Sequence, residues 1–426
     1  MKPKKFYDLL VVAFIGLLSS CSSEEPALNL PASNKISLTR TPEEALTLAA
    51  QCSEVSNNGV SRSTAKTIDA ESIKIIGAKN SRSNTDTLIY AIDFTDNQGF
   101  VLISGNKLTE PVIGIVDEGN YEESSTCGNE NFDNFMDAAL SYVSDAPNSI
   151  SSTEPVDRLM IIKTDTLKTV SSTGARVKVQ WNQYWPENMF APNKVAGCGP
   201  IAIAQIFSYF KPTFDVDLTF AEKTFDHLTV NWDEVNKHTL STNYKNIPNS
   251  LIDSHYQNCD ADEESHVALA ALVREIGERA NCIYGQSSTA IFFSDAREIL
   301  SEFLYNHQTQ TCTGENLYDL LLNKGIAYIH GYNPKSGHAW VGDGVARIVY
   351  NIDIYHNFNP RTREYDWKEE EVITNRYIHC NWGWAGYCDG YFLENVFDTS
   401  KPVEHPFFKT TSRSDYSRGV EGIVIY

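Results

Sequence analysis

The spacing of apolar and polar positions divides the chain into stretches of different texture. Pro42 stands at a first helical position behind Thr41, a capping residue type, and Ala45, Leu48 and Ala49 fall on one face, which predicts a short helix. Thr87–Phe94 and Phe100–Ser104 are β-rich runs whose connection ends in Gly99, a hairpin signature, and Val112–Val116 extends them into a meander. Phe132, Phe135, Met136, Ala139, Leu140 and Val143 then recur at helical spacing, predicting a helix whose apolar stripe lies on that small sheet. Residues 41–145 thus read as a compact α+β unit. In 146–176, clusters of Ser, Thr, Pro and Asn surround one short apolar run, Leu159–Ile162, and this reads as a linker where a protease would cut. Residues 177–426 carry all seven tryptophans. Helical periodicity comes first there, at Ile203–Phe210, Val267–Ile276 and Leu317–Leu322. Strand texture follows at Ala327–Tyr332, Ala339–Val341, Val345–Ile354, Tyr377–Trp382 and Gly390–Leu393. Helices followed by an antiparallel sheet is an α+β arrangement.

Composition narrows the function. With 42% apolar residues in 426, more than one core can be buried. The 35 Lys and Arg against 55 Asp and Glu give a net charge of −20, which repels phosphate backbones and argues against a nucleic-acid partner. The N-terminus has Lys2, Lys4 and Lys5, an apolar run from Leu9 to Leu18 and then small residues, the pattern of an export signal over residues 1–20. That run is shorter than the ~20 residues a spanning helix needs. It ends in Leu18-Ser19-Ser20-Cys21, which resembles a bacterial lipobox and implies lipid attachment at Cys21 and a polar tether over 21–40. The expected location is the bacterial outer membrane or cell surface. No zinc or haem pattern is present. His379, Cys380 and Cys388 lack a Cys-x-x-Cys pair, and the two cysteines read as core or disulfide residues.

One cysteine stands apart. In Gly197-Cys198-Gly199-Pro200, Pro200 marks the first turn of the helix that Pro212 ends, so Cys198 sits at its N-terminus, where the partial positive charge favours thiolate. A thiolate is the form that attacks carbonyl carbon. Among ten histidines, His338 in Gly337-His338-Ala339 opens an apolar strand 338 − 198 = 140 residues downstream, a separation typical of papain-like enzymes. His330 and His379 are alternatives. Asn381-Trp382-Gly383-Trp384 lies further on, and could supply an amide to orient an imidazole and an indole to exclude water.

Together, Gly-Cys before a helix, Gly-His-Ala, and Asn-Trp-Gly-Trp followed by Asp389-Gly390-Tyr391-Phe392 resemble the streptopain family of bacterial cysteine peptidases. Asn182-Gln183 and Tyr284-Gly285-Gln286-Ser287-Ser288 add to the likeness, and Gly99–Gly105 with Pro111–Gly114 resembles the family's inhibitory propeptide. The resemblance implies a papain-like two-lobed catalytic domain, a helical lobe plus an antiparallel sheet lobe, over 177–426, preceded by a small α+β propeptide domain. It also implies cleavage of protein substrates with no cofactor, and the propeptide as intramolecular inhibitor. By position it makes Cys198 the nucleophile, His338 the base and acid, and Gln183 with the Cys198 N–H the oxyanion hole. Trp382 would cover the His, and Asn381 would orient it. Two departures stand out: Gly199-Pro200 follows the nucleophile, and Gly342 precedes Asp343 where an apolar residue is usual. The stretch from Val345 to Ile378 is long, and its run Lys368-Glu369-Glu370-Glu371 suggests an extra exposed hairpin. A catalytically silent surface-binding lipoprotein and a cell-wall peptide amidase using the same dyad are the competing readings.

Overall fold

The computed structural model describes residues 37–53, 66–77, 88–122, 129–145, 160–217, 219–220, 223–224, 228–237, 263–286, 288–332, 337–356, 365–397 and 420–426. The predicted signal segment, Cys21, most of the predicted tether and predicted linker residues 146–159 lie outside them.

Eleven strands form one sheet: β1 (Lys74–Ile76), β2 (Ile89–Asp93), β3 (Phe100–Ser104), β4 (Val112–Val116), β5 (Met160–Ser172), β6 (Thr309–Thr313), β7 (Ile326–Tyr332), β8 (Gly337–His356), β9 (Trp367–Asn381), β10 (Gly390–Leu393) and β11 (Val420–Ile425). Their spatial order is β1-β2-β3-β4-β10-β9-β8-β7-β11-β6, with β5 paired to β8. Every pairing within it is antiparallel. The main helices are α1 (Pro42–Gln51), α2 (Glu130–Asp145), α3 (Cys198–Phe210), α4 (Glu263–Arg279), α5 (Phe293–Phe303) and α6 (Gly314–Leu322).

Local chemistry accounts for much of this. Thr41 and Glu44 form a reciprocal capping box at the start of α1, and the face carrying Ala45, Leu48 and Ala49 is buried. The β2–β3 connection turns through Asp96 and Asn97 at positive φ and Gly99 at φ 100°. A Cβ on Gly99 would meet the Val116 carbonyl at 2.0 Å, so only glycine fits. α3 stops at Lys211, which takes a left-handed conformation just before Pro212.

Two apolar cores result. One gathers α3, α4, α5 and the adjoining face of β7, β8 and β11, and all its buried members lie from Val177 onward. The other lies on the sheet and mixes Leu48, Val101, Ile115, Phe135 and Val143 with Trp340, Tyr350, Trp382 and Phe392. The small N-terminal sheet is therefore not closed on itself: β4 pairs with β10 through Val116↔Gly390, Ile115↔Tyr391 and Gly114↔Phe392. The stripe of α2 likewise differs from expectation. Phe132 touches Phe100 of the small sheet, but Phe135 packs on Trp382, Phe392 and Phe397. Periodicity fixes which face of a helix is apolar, and only the fold decides what covers it.

The predicted strands at 339–341 and 345–354 merge into β8, and the 345–378 stretch is indeed a long β8–β9 hairpin with Glu369, Glu370 and Glu371 exposed. Within the predicted linker, Met160–Ser172 form strand β5. Helix α5 escaped the sequence reading, although Ala296, Ile299 and Leu300 carry the spacing.

Candidate active site

Cys198 is the first residue of α3, and its Sγ accepts a hydrogen bond from the Ala339 N–H at 3.4 Å. That bond brings the helical lobe to the strand residue next to His338. Glycines on both sides permit the approach. Gly197 has φ 98°, and a Cβ there would lie 2.7 Å from Thr289 Cβ. A Cβ on Gly199 would lie 2.2 Å from Ile291 Cγ2. The departure at Gly199 is thus matched by Ile291, and that at Gly342 by Ile329, whose Cδ1 a Cβ would meet at 2.6 Å.

His338 stands opposite Gly331 on β7, and its Nε2 is 3.6 Å from Glu130 Oε2 at the start of α2. Burial pushes the imidazole pKa down, and the Glu130 carboxylate offsets part of this. Burial and, to a smaller degree, the same carboxylate push the Cys198 thiol up, against the N–H groups of Ala339, Gly199 and Cys198 itself. The thiolate expected from the helix terminus is therefore disfavoured, by burial first and by the Glu130 carboxylate last.

The other histidines have other surroundings. His330 faces Ala339 across the β7–β8 ladder, is buried near Phe293 and Tyr328, and has its pKa pushed down to about 4 by burial and by His338. His379 lies between two carboxylates, with Nδ1 2.5 Å from Asp343 Oδ1 and Nε2 3.1 Å from Asp117 Oδ2. Burial alone would lower its pKa, but the two aspartates outweigh that and raise it well above the usual value. Carboxylates only accept, so the ring is held as imidazolium. Asp343 is the extra residue of a β-bulge between Gly342 and Gly344, and its other oxygen accepts the Val177 N–H at 2.7 Å.

Gln183 is buried in the loop before α3, where its carbonyl accepts from Ala196 N at 2.9 Å. The neighbouring Asn182 N–H donates to Glu187 Oε1 at 3.2 Å, and burial pushes that carboxyl up to about 8. Asn381 sits opposite Val341; its Nδ2 donates to the Val179 carbonyl at 2.9 Å and its Oδ1 accepts from Gly383 N at 3.2 Å. The amide thus ties the lobes' backbone together here. Trp382 is fully buried, with Nε1 donating to the Cys388 carbonyl at 2.8 Å and its ring on Trp340, Phe135 and Phe392. Trp384 is the partly exposed indole, its ring 5.8 Å from that of Tyr184. Cys380 and Cys388 are both buried in the core that lies on the sheet.

Sequence reasoning overlooked the residues that the N-terminal unit sends into the site. Asn131 Nδ2 donates to the Trp382 carbonyl at 3.0 Å and the Ala339 carbonyl at 3.3 Å, and Asn129 Nδ2 to the Tyr387 carbonyl at 2.7 Å. An Asn-Glu-Asn run ahead of a helix is a polar cluster like many others, and no local signal marks its destination.

A Cys thiol at a helix terminus in one lobe, a His-bearing strand in the other and an N-terminal unit joined to the sheet lobe define a papain-like thiol hydrolase with its propeptide in place. Comparison with known proteins agrees. A model of the Peptidase C10 family matches residues 177–392, and one described as Spi protease inhibitor matches 37–143. The chain belongs to the peptidase C10 family and is a cysteine endopeptidase made as a zymogen. It is 23% identical over 372 residues to streptopain of Streptococcus pyogenes, covering 78% of this chain and 80% of that protein, and the serotype M1 streptopain matches to the same extent. The structure of a prointerpain A fragment from Prevotella intermedia superposes with a TM-score of 0.48 at 18% identity, covering 82% of this chain and 98% of that one.

Proposed function

We propose that the mature enzyme cleaves proteins through a thioester. His338 takes the Cys198 proton, Sγ attacks the scissile carbonyl carbon, and the protonated imidazole then gives its proton to the departing amine. Water, deprotonated by His338, releases the acid and restores the thiol. The Gln183 amide and the Cys198 N–H stabilise the oxyanion, each worth about 3 kcal/mol in the transition state. The observation that carries this reading is the Ala339 N–H donated to Cys198 Sγ, which sets the thiol one residue from His338. Family membership and the presence of all these residue types disfavour a silent binding protein or a dedicated cell-wall amidase.

Latency follows from the same contacts. Glu130 holds the His338 side of the dyad, and Asn131 holds the Ala339 and Trp382 carbonyls beside it. Cutting within 146–176 would free α2 to leave. The N-terminal pattern supports export and lipidation at Cys21, giving a zymogen tethered to the outer membrane or cell surface. Casein digestion by intact and processed protein, each with and without Cys198→Ala, tests the enzyme reading. Loss of activity in both forms of the variant, with an unchanged circular dichroism spectrum, is expected. Cleavage persisting in the variant would identify another nucleophile. Palmitate labelling lost in Cys21→Ser would support the anchor.

A further inference from the structure

The loop ahead of the nucleophile's helix is held by two buried side chains that the proton transfers above do not use. Gln205 lies 205 − 198 = 7 residues after Cys198, about two turns along α3, and its Oε1 accepts the Trp181 N–H at 3.1 Å. Glu187 stands in the turn beyond Gln183 and is 1% exposed. Its Oε1 accepts the Asn182 N–H at 3.2 Å, and its own N–H also bonds to the carboxyl. The Tyr184 N–H is taken by Asn182 Oδ1 at 2.5 Å, the Gln183 carbonyl by the Ala196 N–H at 2.9 Å, and the Trp181 carbonyl by the Ala385 N–H at 3.2 Å. The backbone on both sides of Gln183 is therefore fixed, and Gln205 refers it to the helix that carries Cys198. An acid is a costly anchor for such a loop: burial pushes the Glu187 carboxyl up to about 8, although both N–H groups pull the other way. An apolar side chain of similar volume would fill the space without that cost, but could not accept the Asn182 N–H.

We infer that Glu187 is a positioning residue for the oxyanion hole: by fixing the Asn182 backbone it sets the direction from which the neighbouring Gln183 amide meets the developing oxyanion. This rests on the role proposed above for Gln183. Glu187 acts on neither the thiol nor the imidazole, and its effect passes through Gln183. An oxyanion donor works only from about 2.7–3.1 Å of the place where the charge develops. A loop free to shift by about an ångström loses much of that stabilisation while substrate still binds. The loss therefore falls on kcat and leaves KM in place.

Kinetics on fluorescently labelled casein and alkylation by iodoacetamide, both with processed enzyme, test this. Gln183→Ala is expected to lower kcat about a hundredfold, and Glu187→Leu about tenfold with little change in KM. Glu187→Gln, whose amide oxygen can still accept the Asn182 N–H, is expected to keep most of the wild-type kcat. Alkylation of Cys198 passes through no oxyanion, so its rate should be the same in every variant. Combining Gln183→Ala with Glu187→Leu should slow the enzyme no further than Gln183→Ala alone, because the two residues act as one. The inference is overturned, with the role of Gln183 intact, by wild-type kcat in Glu187→Leu, by a Gln variant as impaired as the Leu variant, by a double variant slower by the full product, or by alkylation slowed in step with kcat. Wild-type kcat in Gln183→Ala removes the oxyanion assignment itself, and this inference with it. Glu187→Met supplies the same comparison if the Leu variant does not fold.

Discussion

The lobe that carries Cys198 and the lobe that carries His338 are built on different terms. Among the described residues, every buried apolar member of the helical lobe's core comes from Val177 onward, so the propeptide contributes none of them. The core beneath His338 is shared, with Leu48, Val101, Ile115 and Phe135 interleaved among catalytic-domain residues and the ladder running unbroken from β4 into β10. The propeptide's packing and hydrogen bonds thus fall on the sheet lobe. The propeptide does not plug a finished cleft; it completes the sheet lobe and, in doing so, places Glu130 and Asn131 at His338's side.

The contrast breaks most sharply with a pair of truncations. Phe135→Ala empties the space against Trp382, Phe392 and Phe397 and should cost about 3–5 kcal/mol. That loss falls on the zymogen alone, seen as a lower melting temperature and higher basal casein cleavage, because the residue leaves on maturation. Phe207→Ala, buried in the helical core, should cost a similar amount in zymogen and mature enzyme alike. Equal effects of Phe135→Ala on both forms would refute the shared-core picture.

Asp117→Asn probes the charge clip across the same interface. His379 is protonated between Asp117 and Asp343, so its raised pKa contributes stability that is fully present below the ordinary value of about 6.5 and is lost as pH rises through the higher folded value. The wild-type zymogen should therefore lose its hold on the propeptide on the alkaline side. The Asn variant should be weaker by about 1.5–3 kcal/mol at neutral pH, with a flatter profile. Basal activity and unfolding followed across pH check both statements.

Gly199→Ala acts on the helical side. Its Cβ would press on Ile291 Cγ2, an overpacking cost of about 1–3 kcal/mol, and activity should fall in processed enzyme as well as in the zymogen. The smallest effect belongs to Glu130→Gln. That side chain is 69% exposed, so the loss of its contact with His338 amounts to less than about 1 kcal/mol, read as a few-fold faster self-processing with the mature enzyme unchanged.

Legibility followed the range of the interactions. Cys198 could be found because its setting is local: Pro200 marks a first turn, Pro212 a stop, and the helix terminus lies between them. β4, β10, α1 and the β8–β9 hairpin were readable for the same reason, through period, cap and turn chemistry within a few residues. His338 could be placed at the head of a strand, but not told apart from His330 and His379 by residue type. Asn381 and Trp382 read as partners of the imidazole, whereas the fold ties the amide to Val179 and Gly383 and buries the indole in the shared core.

The sequence by itself determined the elements, the order of the units and the candidate thiol, because propensity, periodicity and motif spacing are written in neighbouring residues. Tertiary structure alone decided that the propeptide shares a sheet and a core with the catalytic unit, that Asp117 meets His379 and Glu130 meets His338, and that residues 160–172 of the linker are a strand on β8. Those pairings join residues more than a hundred positions apart, and no local pattern encodes which sheet edge finds which.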